Sequence, residues 1–134
     1  MLSPSLETVR LFLHILGATV WVGGQLTMLG LLPVLRAQGP DLPRLAARQF
    51  GKIAWAGFAL AVVTGVWNVF EVDMKNASTS YHMTLGLKLV LVGASAAAAL
   101  VHTYGKSKPA LAIGGAVGLV ASLGAVFVGV LLAG

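Results

Sequence analysis

The 134-residue chain contains no cysteine. That excludes disulfide frameworks, thiolate metal sites, iron–sulfur clusters and c-type haem attachment. Charge is almost as scarce, at 10% of residues, where an ordinary soluble domain carries roughly a quarter. A soluble globule, a disordered tail and a nucleic-acid module are therefore poor readings of this composition. Only four residues are acidic, and three of them fall in loops or at helix ends. No paired intramembrane carboxylates and no Ser-His-Asp arrangement can be built from them, and no nucleotide-binding loop is present. The nine Lys and Arg give a net charge of +5, but they flank apolar runs instead of forming one basic face, so they bear on membrane topology.

What fills the chain is apolar sequence, 57% of it. Four long runs stand out, at about residues 8–35, 47–70, 81–104 and 110–133. Each suffices to cross a hydrocarbon core of about 30 Å, which takes about 20 helical residues. Backbone in lipid must satisfy its own hydrogen bonds, which makes such runs helices. The expected fold is an all-α integral membrane four-helix bundle, one domain over residues 1–134 in contact with the lipid bilayer. Pro33 and the stretch from Gln38 to Pro43 are expected to end the first helix, Asp73 to Ser80 to form a polar turn, and Lys106 to Pro109 a tight one. The first run is too long for a signal-peptide core and lacks a cleavage site before polar sequence, so it is expected to be retained. Arg36, Arg44, Arg48, Lys52, Lys106 and Lys108 flank one side of the membrane, against Arg10 and Lys75 on the other. That bias predicts both termini outside, in a bacterial or archaeal plasma membrane.

The polar residues of the first three helices recur at helical spacing. Helix one carries His14, Ala18, Trp21, Gln25 and Met28 on one face; helix two carries Gly57, Ala61, Thr64, Asn68 and Glu71; helix three carries Tyr81, Thr84, Lys88, Ser95 and His102. At a rise of about 1.5 Å per residue, His14, Thr64 and Lys88 reach one level, about 10 Å below the outer surface. Asn68, Glu71, Tyr81 and His82 lie just above them. These residues are expected to converge on one outer-leaflet site. His102 falls about 20 Å from His14 by the same count and is expected at the cytoplasmic interface. Lys88 is the costliest member, since a mid-helix lysine in lipid costs about 2.5 to 3.5 kcal/mol even on lenient scales. Each residue also has a plainer role: a snorkelling Lys88, a neutral core His14 bonded to Thr64 or a carbonyl, a solvated His82, packing for Trp21 and Trp55, and a helix-terminating Glu71 that could also pair with Lys88.

Two cofactors suit such a cluster. Haem b takes axial histidine inside helical bundles, with a cation offsetting a propionate; here His14 would ligate the iron and Trp21 pack on the ring, beside Thr64, Asn68 and Lys88. Copper(I) takes imidazole and thioether ligands, and His14, Met74, His82 and Met83 all lie toward the outside. A third reading is a non-catalytic scaffold. Helix four has only Ser122 as a polar side chain and carries small residues at every fourth position, Ala110, Gly114, Gly118 and Ser122, with Ala121, Ala125, Gly129 and Ala133 on a neighbouring face. Such ladders serve close helix contacts, either within the bundle or with a second copy or another membrane subunit.

Helix one, reading Leu13-His14 and then Trp21-Val22-Gly23-Gly24 before leaving through Pro33 and Arg36, resembles the opening helix of the CopD-type copper-resistance membrane domain. Phe50-Gly51-Lys52-Ile53-Ala54 with Thr64-Gly65-Val66-Trp67-Asn68, and Tyr81 with Leu87-Lys88-Leu89, are similar to that family's next two segments. The resemblance spans about residues 10–105. It extends to the HemJ-type four-helix haem-b proteins linked to protoporphyrinogen oxidation, which also place a histidine before a tryptophan in helix one and a lysine in helix three. That implies His14 as axial ligand, Lys88 as propionate or substrate partner, and a haem-dependent membrane oxidoreductase. The CopD-type resemblance implies copper import or handling instead. Helix four departs from the HemJ-type pattern in lacking its Asn-Glu-Pro.

Overall fold

Residues 1–134 are all described in a computed structural model. The polypeptide is helical nearly throughout, and the all-α membrane fold expected from the sequence is the fold observed. Four helices are long and apolar enough to cross a membrane: α1 Leu6–Gln38, α2 Leu42–Phe70, α3 Thr79–Tyr104 and α4 Lys108–Ala133. Large apolar side chains point outward along all four, among them Phe12, Ile53, Val90, Val120 and Phe127. Apolar exposure on this scale marks a lipid-facing surface. The protein is an integral membrane protein.

The helices begin earlier than the apolar runs do, because caps recruit polar residues into first turns. Ser5 and Thr8 form a reciprocal capping box at the start of α1. Ser78 accepts from the Tyr81 amide and Ser107 from the Ala110 amide, starting α3 and α4. Lys108 and Pro109, expected in a turn, thus belong to the first turn of α4, where proline's missing donor costs nothing. Likewise Pro43 opens α2 instead of closing α1.

Pro33 does not end α1, contrary to the sequence expectation. The helix continues through it to Gln38. One lost donor is tolerable where leaving the helix would expose many more. The helix stops at Gly39, whose extended backbone is what a residue preceding proline, here Pro40, is forced to adopt. A second irregularity has no sequence signal: Thr19–Gly23 form a π-helical turn inside α1. Gln25 Nε2 donates to the Trp21 carbonyl there, at 2.9 Å.

The chain divides into two compact units, Met1–Asp73 and Met74–Gly134, each an antiparallel hairpin. In the first, α1 and α2 meet at glycine. A Cβ on Gly17 would lie 2.6 Å from the Gly57 carbonyl oxygen, and one on Gly57 would lie 2.7 Å from Val20. Below that contact Trp21, Trp55 and Phe58 form an aromatic cluster with centroids 4.6 to 5.6 Å apart. In the second hairpin the small-residue ladder of α4 turns toward α3. Gly114 packs against the Ala98 carbonyl and the His102 backbone, and Gly118, Ala121 and Ser122 are buried. Ser122 Oγ donates to the Gly118 carbonyl at 2.7 Å and lies 2.6 Å from Ser95 Oγ. With its one proton committed, Ser122 accepts from Ser95, and the pair links the helices at their centre.

Candidate functional site

The expected site residues fall in both hairpins, His14, Trp21, Thr64, Asn68 and Glu71 in the first and Met74, Tyr81, His82, Met83 and Lys88 in the second. In the first hairpin the depth arithmetic brings His14 and Thr64 together. His14 Nδ1 lies 2.9 Å from the Ala61 carbonyl oxygen and 3.1 Å from Thr64 Oγ1. A carbonyl can only accept, so Nδ1 carries the proton. Thr64 agrees with that assignment: its hydroxyl donates to the Leu60 carbonyl at 2.6 Å, leaving its lone pairs for His14. Thr64 is buried and His14 half-buried. Gly65 leaves room for the ring, since a Cβ there would stand 3.2 Å from it. The core-histidine arrangement anticipated from the sequence is therefore formed, with both anticipated partners.

A proton held on Nδ1 puts the imidazole lone pair on Nε2 when the ring is neutral. Metal-bound histidines are commonly oriented this way, with the distal N–H given to a carbonyl. The arrangement therefore fits a single bond from His14 to a metal. Trp21 is buried within the aromatic cluster. Asn68, one turn beyond Thr64 on the same face, has a buried Oδ1 with no hydrogen-bond partner.

Glu71 pairs with Arg10, 3.8 Å from Oε2 to Nη1, a partner the sequence did not single out. Arg10 had been read only as a topology charge. It is in fact buried, at 8% exposure, with Glu7 3.7 Å away on its other side. One signal was available, because Arg10 stands one turn before His14 and so opens the same stripe.

In the second hairpin Lys88 is half-buried and extends across α4 at Gly129, where a Cβ would lie 3.2 Å from Nζ. No hydrogen bond or ion pair engages its ammonium. His82 is exposed on the first turn of α3, its Nδ1 donating to the Ser78 carbonyl at 2.9 Å. Met83 is 71% exposed and Met74 half-buried. His102 Nδ1 donates to the Leu111 carbonyl at 2.6 Å, tying the end of α3 to the start of α4. No group of three or more His, Asp or Glu side chains stands close enough to hold a metal ion.

No family model matches the chain, and no curated protein or solved structure is similar to it.

Proposed function

We propose that the protein is a membrane haem-b protein of the CopD and HemJ kind, in which His14 would hold the iron. The observation that carries this reading is the hydrogen bond from His14 Nδ1 to the Ala61 carbonyl, which orients the ring as the distal N–H bond of a metal-bound histidine commonly does. Haem needs one such imidazole, whereas a bare ion needs several ligands. Bound haem b would supply one-electron chemistry. The chain's own contribution is to hold that imidazole: Thr64 and Ala61 fix its tautomer and angle, and the Gly17 contact sets the helix spacing within which it stands.

Copper handling draws less support. His82 and Met83 are exposed at the start of α3. The scaffold reading loses its main argument, because much of the α4 ladder is spent against α3. The positive charges flanking the α1–α2 and α3–α4 turns favour both termini outside, and a reporter fused at the C-terminus checks that independently.

The test is a visible spectrum of detergent-purified protein, oxidised and dithionite-reduced, with metal analysis of the same sample. A Soret band that sharpens on reduction is expected, lost in His14→Ala. Full haem content in His14→Ala would overturn the ligand assignment, and a colourless protein carrying stoichiometric copper would transfer the case to copper.

A further inference from the structure

Arg10 is the most anomalous side chain in the molecule. A guanidinium carries five N–H donors in a rigid fork. Here Nε is buried with no partner, and the terminal nitrogens approach Glu7 and Glu71 only at 3.7 and 3.8 Å, beyond hydrogen-bond length. The side chain is nonetheless 10% exposed. Buried donors in folded proteins nearly always find acceptors, and this one borders a cavity of about 290 Å³ lined by Leu6, Glu7, Arg10, Trp67 and Glu71.

The lining fixes the chemistry of an occupant. One guanidinium and two carboxylates sum to a charge of −1, so a bare anion meets net repulsion and a bare cation leaves the Arg10 donors unmet. A zwitterion answers both, with an acidic oxygen taking hydrogen bonds from Arg10 and an ammonium facing Glu7 and Glu71. Trp67 also lines the cavity, and an indole is a ring type that attracts cations. Leu6 and Trp67 bring apolar surface to the same rim, at the membrane end of α1 and α2, where tryptophan favours the headgroup level. We propose that this cavity binds the headgroup of a zwitterionic phospholipid, its phosphodiester on Arg10 and its ammonium on the two glutamates. Nothing in this assignment depends on haem.

The test is native mass spectrometry of the purified full chain equilibrated in mixed micelles with equimolar phosphatidylethanolamine and phosphatidylglycerol. The wild type is expected to retain phosphatidylethanolamine about tenfold over phosphatidylglycerol, the scale of one charge-assisted contact. Arg10→Gln should abolish retention of both lipids. Because that variant removes a buried group on which folding can depend, Glu7→Gln/Glu71→Gln is the decisive one: both glutamates are exposed, and removing their charges takes the cavity from −1 to +1. Its preference should invert toward phosphatidylglycerol. Equal retention of the two lipids by the wild type, or an unchanged preference in the double variant, would overturn the proposal. Displacement of the lipid by equimolar glycerophosphoethanolamine would overturn the lipid as source and assign the same chemistry to a soluble zwitterion.

Discussion

The two hairpins solve one problem, holding two helices together in lipid, by different means. In the first, backbone meets backbone at Gly17 and Gly57, and on either side of that contact stand groups a membrane helix ordinarily avoids: Arg10 and His14 above, the Trp21 cluster below. In the second, small residues continue along most of α4 and the polar contribution is a serine pair, with Lys88 set against Gly129. Lipid offers no hydrophobic drive for helix association, so both hairpins depend on close packing and hydrogen bonds. The first concentrates its packing at one crossing and thereby frees the remaining length for functional side chains; the second distributes it and is the more structural half.

Breaking the crossing should have the largest effect. Gly17→Val places a side chain into the Gly57 carbonyl and the Ala61 backbone, neither of which can rotate aside. A loss of about 3 kcal/mol or more is expected, seen as a lower midpoint in detergent-unfolding titrations. Gly86→Val, at a position with open space around it, should leave the midpoint nearly unchanged. If the two variants behave alike, packing is not concentrated at Gly17. In the second hairpin, Ser122→Ala removes the acceptor of the Ser95 proton and should cost about 1 kcal/mol. Adding Ser95→Ala should recover part of that loss, a non-additivity that a double-mutant cycle reads directly. The smallest effect is expected from Gly129→Ala. The new methyl meets only the far end of the Lys88 side chain, which can swing away, so a change below about 0.5 kcal/mol is expected.

Helix number and approximate spans were legible because runs of 20 apolar residues have one outcome in lipid. Their ends were less so. Pro33 reads as a terminator in any local sense, yet the helix runs on to Gln38 and stops at Gly39, just before Pro40, since only the cost of exposing backbone in a membrane decides between them. The His14–Thr64 level followed from counting residues along antiparallel helices. Arg10 was missed for a related reason: its partner Glu71 lies about 60 residues away in sequence, and the one mark Arg10 carries, its place on the His14 stripe, does not by itself separate a buried fork from a topology charge. The π turn at Thr19–Gly23 leaves no compositional trace, its residues being ordinary helix formers for a membrane segment.

That turn gives α1 an uneven tolerance to changes in length. A π turn accommodates one residue more than the α-helix around it. Removing one residue there, Val22 for instance, lets the helix close into regular α form while Gly17 and Gly24 keep their directions toward α2. A single deletion between His14 and the π turn would instead rotate everything beyond it by about 100°, carrying either His14 or Gly24 off the shared face. The slack in this helix is confined to one turn, and it sits beside the buried Trp21.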